Sequence, residues 1–171
     1  AFLLKNGFEP TLRMLDMERK GAAPDPEPPP EGFLLRPYRE TSDDDAAWKR
    51  VNEVGYGDGP DYNPLSDEDL ELFRSTPGFH LWFAERDGEI VGLCHTKEWQ
   101  GKEGCVNSVV VDPRARGRGL GRALTASGLR TLADQGQTRV MLNVLADNAP
   151  AYAIYERLGF TTVDEIVTWR K

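Results

Sequence analysis

Apolar positions along the chain follow two periods, and the switches between them mark the elements. Phe33–Tyr38 is a short apolar run that predicts a first strand. Ser42 followed by Asp43, Asp44 and Asp45 predicts a helix start, because carboxylates are favoured at a helix N-terminus. Trp48, Val51 and Val54 give that helix an apolar stripe. A loop rich in Gly, Pro and Asp, YGDGPDYNP at 56–64, leads to a second helix start at Ser66, with Leu70, Leu72 and Phe73 along it. Phe79–Ala84 and Ile90–Thr96, joined around Asp87-Gly88, predict a hairpin. Val106–Val111 predicts a strand buried on both faces. Gly117–Gly121 opens a helix running to about Asp134, with Leu120, Leu124, Leu129 and Leu132 inward. Arg139–Leu145 predicts a strand, Pro150–Leu158 a short helix ended by Gly159, and Thr161–Trp169 the last strands. This order predicts an α/β fold, a mixed central sheet flanked by about four helices.

Residues 20–32 stand apart as a linker. Five of the 12 prolines lie between Pro24 and Pro30, which predicts an extended, polyproline-like spacer. Residues 1–19, before it, are too few for a domain. Laid without a gap over residues 153–171, they match Ala1, Gly7 and Phe8 to Ala153, Gly159 and Phe160. Residues 1–19 therefore read as the tail of an upstream copy, a helix end followed by a strand, with residues 33–171 as the domain proper. The start at Ala1 rather than Met reads as a processed or trimmed piece.

Composition narrows the function classes. The chain has 171 residues and a net charge of −7, from 21 basic and 28 acidic side chains. That balance argues against a nucleic-acid partner. No apolar run is long enough to span a bilayer, so no membrane partner is expected. Cys94 and Cys105 are too few for a disulfide framework and lie in no metal-ligand pattern, so no metal is expected. A reduced, cytoplasmic setting is the default expectation.

The chemistry concentrates in VVVDPRARGRGLGRAL, Val109 to Leu124. A strand ends at Val111, Pro113 stops it, and Gly117, Gly119 and Gly121 let backbone amides converge at a helix start. Such a terminus has unpaired N–H groups and a partial positive charge that suit a phosphate or pyrophosphate. Arg114, Arg116, Arg118 and Arg122 reverse the sign of an otherwise acidic chain there. No Lys-Ser/Thr follows, as a P-loop requires, and Gly-x-Gly-x-Gly is not the dinucleotide spacing.

Arg116-Gly117-Arg118-Gly119-Leu120-Gly121 resembles the Arg/Gln-x-x-Gly-x-Gly/Ala acyl-CoA signature of the GNAT acetyltransferase superfamily. Asn148, Ala151, Tyr155 and Leu158-Gly159-Phe160 resemble its second element, and together the two span residues 33–171. Gly119-Leu120-Gly121, Leu124-Thr125, Gly128-Leu129 and Thr96-Lys97 resemble the mycothiol synthase-like, tandem-domain branch.

The resemblance implies acetyl-CoA as cosubstrate, with its pyrophosphate on the amides of Gly117 to Gly121 and clasped by Arg116 and Arg118. It implies a pantetheine arm along Val109 and Val111, where strands 106–111 and 139–145 splay apart. An N–H near Val109 would stabilise the oxyanion, Tyr155 would protonate the leaving thiolate, and Asn148 would hydrogen-bond near the pantetheine or cap its helix. The family's strand glutamate is replaced here by Cys105. Glu103 is the candidate base, with His95 and Glu98 as others, while Cys94 or Cys105 as a nucleophile is the covalent alternative.

From Glu40 to Glu71 the chain holds 11 acidic residues against Lys49 and Arg50, a field that would attract a cationic amine. Tyr56, Tyr62 and Trp99 are candidates to line its path. The expected activity is transfer of acetyl to a primary amine of a small acceptor. The alternatives are a non-catalytic acyl-CoA-binding domain and the structural half of a tandem enzyme. A homodimer or an upstream domain is the expected protein partner.

Overall fold

A computed structural model describes residues 2–57, 62–101 and 103–171. Ala1 of the repeat and the middle of the loop at 56–64 lie outside the described residues. In chain order the elements are α1 (Phe2–Lys5), β1 (Glu9–Lys20), β2 (Leu34–Pro37), α2 (Ser42–Tyr56) and α3 (Asp67–Arg74). Then come β3 (His80–Arg86), β4 (Glu89–Trp99), β5 (Glu103–Val111), a 3-10 turn at Pro113–Ala115, α4 (Leu120–Asp134), β6 (Arg139–Leu145), α5 (Ala149–Arg157) and β7 (Thr161–Arg170). The seven strands form one mixed sheet in the order β2-β3-β4-β5-β6-β1-β7. The mixed α/β architecture expected from the apolar pattern is therefore present, with α2 to α5 flanking the sheet.

Local chemistry sets the helix ends. The Thr41 side chain accepts from the Asp44 amide at the start of α2, and Ser66 and Asp69 form a reciprocal capping box on α3. One sheet face buries Leu120, Leu124, Leu129 and Leu132 of α4, with Tyr155 of α5, against Val106, Leu142 and Met17. The other buries Trp48, Val51 and Leu70 of α2 and α3 against Leu81, Phe83, Leu93 and Val110. Val54 and Leu72, expected on apolar stripes, are exposed because each helix buries a narrower face than its sequence offers. Likewise β5 is only partly buried, since Asn107 reaches solvent and Ser108, Val109 and Val111 are half-buried.

β1 pairs antiparallel with β6 from Met14/Leu145 to Lys20/Arg139, and with β7 on its other side. Met14 and Ile166, equivalent positions of the sequence repeat, are each other's partners across β1 and β7. A local two-fold axis therefore runs through that pair. Gly7 and Gly159, also equivalent, both take left-handed backbone at φ 78° and 87°. Met17 is fully buried, and Arg139 holds Glu18 from the neighbouring strand at 2.6 Å. On the face away from α4, Leu145, Met14 and Ile166 form an apolar row whose outer members are exposed.

Residues 21–32 lead from β1 to β2 past α4, held where Glu27 meets Arg122 at 2.5 Å and Arg130 donates to the Pro24 carbonyl at 3.4 Å.

Near the far edge, Arg36 grips Asp44 through two hydrogen bonds of 2.7 and 2.8 Å, both side chains nearly buried. Arg36 holds the Asp44 carboxyl below the usual carboxylate range. The ionised form is thus favoured in the fold, and the stability it adds is present above about pH 4 and lost as pH falls through the depressed value. Asp44→Asn is expected to cost about 3 kcal/mol at pH 7. Urea unfolding should show the gap to wild type closing below about pH 4.

Candidate active site

β5 and β6 run parallel and pair only at Gly104/Val140 and Cys105/Met141. Beyond that rung the strands diverge, and the inner edge of β5 from Val106 to Val111 is left without a ladder partner among the described residues. The register between β4 and β5 shifts by one residue, with His95 opposite Ser108 and Thr96 opposite Val106. Asn107 is the extra residue, and such a bulge re-aims the strand where the gap begins.

The chain leaves β5 through Asp112, whose side chain caps the 3-10 turn and pairs with Arg114 at 2.7 Å. Gly117 and Gly119 follow with φ of 76° and 85°. A Cβ at Gly117 would meet nothing within 4 Å, so backbone conformation rather than crowding requires glycine there. Gly119 is the N-cap of α4 and offers no side-chain cap, while Ala123 makes the first intrahelical bond back to its carbonyl. The amides of Leu120, Gly121 and Arg122 are thereby available to a ligand.

Three contacts join loop, strand and α5. Arg116 Nε donates to the Val111 carbonyl at 3.0 Å. A Cβ on Gly121 would lie 3.8 Å from Val111 Cγ2 and 3.3 Å from Ile154 Cδ1. Residue 121 must stay small for the first turn of α4 to abut both β5 and α5. Asn148 caps α5 by accepting from the Ala151 amide at 3.2 Å. Tyr155, one residue beyond Ile154, is 8% exposed and packs edge-to-face on Phe160. Burial pushes its phenol pKa up, and proximity to Tyr56 and Cys94 pushes it further. Tyr155 therefore keeps its proton at neutral pH.

Arg116 and Gly121 thus meet Val111 where β5 runs on past its rung with β6. Gly117, Gly119 and Leu120 lie in the same turn, Val109 two residues back along the strand and Tyr155 one residue beyond Ile154 on α5. Arg118 is exposed beside them. Arg114 is committed to Asp112 and Glu89, and Arg122 to Glu27, so the arginine cluster is partly neutralised. Glu103 sits at the closed end of the strand pair, bound by Arg139, which also holds Glu18. His95 is enclosed by Trp48, Phe73 and Phe79, with Nδ1 3.2 Å from Asn107 Nδ2. Burial brings its pKa down to about 4. The Cys94 thiol is pushed up to about 12 by burial, and Cys105 is raised by the same cause. Neither forms a ready thiolate at neutral pH.

Part of the acidic segment is internally satisfied. Asp44 pairs with Arg36, Asp45 with Arg74 and Asp67 with Lys49. Among the described residues no group of three or more His, Cys, Asp or Glu gathers to hold a metal ion. No described helix is long and apolar enough to cross a membrane. Sequence reasoning missed Ser108, Gly55 and Glu27; two polar residues interrupting an apolar run at Asn107-Ser108 were the available signal for the first.

Residues 42–160 match the acetyltransferase (GNAT) family, and the chain belongs to it. A mycothiol acetyltransferase of Streptomyces bingchenggensis (strain BCW-1) is 45% identical over 150 residues, covering 85% of this chain and 48% of that protein. The chain spans about half the length of the curated relatives it matches. A GCN5-related N-acetyltransferase from Sphaerobacter thermophilus superposes with TM-score 0.82 at 27% identity, over 99% of this chain and 54% of that one. A tandem GNAT protein from the clavulanic acid biosynthesis pathway, at 18% identity and TM-score 0.74 over 99% of this chain and 56% of that one, shares the fold.

Proposed function

We propose that this chain is an acetyl-CoA-dependent N-acetyltransferase in which a primary amine attacks the thioester directly. The observation that carries this reading is the open inner edge of β5 beside the uncapped N-terminus of α4. The amides from Gly117 to Gly121 and the Arg116 and Arg118 side chains take the pyrophosphate. Val109 and Val111 offer backbone groups to the pantetheine amides, and an N–H near Val109 faces the developing oxyanion. Tyr155 holds a proton for the departing sulfur. Asn148 fixes the start of α5 and hence Tyr155. Relatives named mycothiol acetyltransferase support a small-molecule amine as acceptor. Exposed Asp43, Glu53 and Glu68 support a cationic one.

Glu103 would have to leave Arg139 before serving as base. That ion pair is the observation favouring a second reading, an acyl-CoA-binding domain without turnover. Thiol release with and without added amine separates the two. The two-fold relation of β1 to β7 supports a third feature, residues 1–19 as a strand shared with a second unit of the same fold.

Calorimetric titration with acetyl-CoA is the direct test. Micromolar binding is expected, about tenfold weaker in Arg116→Ala, for the loss of one or two charge-assisted hydrogen bonds. A folded protein that binds no acetyl-CoA would remove the cofactor assignment.

A further inference from the structure

Gly55 and Tyr56 end α2 against β5. A Cβ built on Gly55 would fall 2.0 Å from Val110 Cγ1, so only glycine lets this helix end rest on the strand. The close approach carries the Tyr56 hydroxyl to 3.3 Å from Ser108 Oγ and lets it donate to the Val109 carbonyl at 3.4 Å. Those residues directly follow the bulge at Asn107, where β5 has parted from β6. α2 lies on one face of the sheet and α5 on the other. Tyr56 therefore reaches β5 from one face, while α5 carries Tyr155 in the core on the other. Tyr56 is 44% exposed as a residue, while its hydroxyl end is turned inward onto β5.

Of the three candidate bases, Glu98 lies away from the open part of the gap, opposite Gly104 at its closed end. Glu103 is held by Arg139, and His95 is 2% exposed inside an aromatic enclosure. We propose, resting on the transferase reading above, that Tyr56 is a catalytic residue that takes the amine's proton and passes its own toward Tyr155. As the C–N bond forms and the C–S bond breaks, nitrogen must lose one proton and sulfur must gain one. The nitrogen's proton moves to Tyr56 Oη, the Tyr56 proton to Tyr155 Oη across a bridging water, and the Tyr155 proton to sulfur. The C–S electron pair leaves with sulfur, both phenols end neutral, and no external base is consumed. Burial raises both phenol pKa values, which suits a relay of neutral hydroxyls.

Tyr56→Phe removes the hydroxyl and keeps the ring. Thiol release by the full chain is followed with acetyl-CoA and ethylenediamine between pH 7 and 9, alongside calorimetric binding of acetyl-CoA. The expected result is a kcat about a hundredfold lower, unchanged acetyl-CoA affinity, and partial recovery by added imidazole that leaves wild type unaffected. Gly55→Ala, which moves the helix end off Val110, should reproduce the loss while near-UV circular dichroism shows a folded protein. An unchanged kcat in Tyr56→Phe, or a raised KM for the diamine without imidazole rescue, overturns the relay and leaves the transferase standing. Wild type that releases no thiol to amine overturns both.

Discussion

Removing residues 1–20 should abolish cooperative folding rather than trim the chain. β1 is an interior strand, and it is the partner through which β7 joins the sheet. Its loss strips both ladders, uncovers the core at Met17, and leaves Arg139 without Glu18. Met17→Ala alone should cost about 3 kcal/mol. A domain holds only about 5–15 kcal/mol in total, so the whole strand exceeds what the remainder can lose. Urea unfolding followed by far-UV circular dichroism compares residues 21–171 with the full chain. A truncated protein with an unchanged midpoint would show that β1 is an accessory.

Tyr155→Phe should lower kcat by about 10²- to 10³-fold while leaving acetyl-CoA affinity within about twofold. The ring packs on Phe160 and that contact survives the substitution. What disappears is the phenol proton that the proposed mechanism gives to the sulfur, and that burial keeps in place at neutral pH. Thiol release and calorimetry on the same preparation separate the two quantities. Equal loss of binding and turnover would make Tyr155 a packing residue of α5 instead.

The parts legible in the sequence are those governed by local rules. Left-handed Gly117 and Gly119, the Asn148 cap and the alternation of strands and helices each follow from a few neighbouring residues. The repeat between residues 1–19 and 153–171 predicted a helix end and a strand, and α1 and β1 have that form. Its place between β6 and β7 depends on partners more than a hundred residues away, which no local period encodes. Arg36, Arg74 and Lys49 turned part of an apparent acidic field, Asp44, Asp45 and Asp67 among it, into internal pairs by the same kind of distant contact. The Tyr56–Ser108 contact was hidden because Gly55 looks like a helix ending, whereas its missing side chain is what admits Val110.

The position of β1 also sets an order of events. Its hydrogen bonds reach across 121 residues to Arg139 and 157 to Thr168. Contacts that distant slow folding, because a long loop must close before they return any stability. During folding, β1 therefore finds its partners β6 and β7 only after the chain from β2 to β7 has been brought round to it. Until that loop closes, the facing edges of β6 and β7 lack the strand between them and are open to a strand from a neighbouring chain.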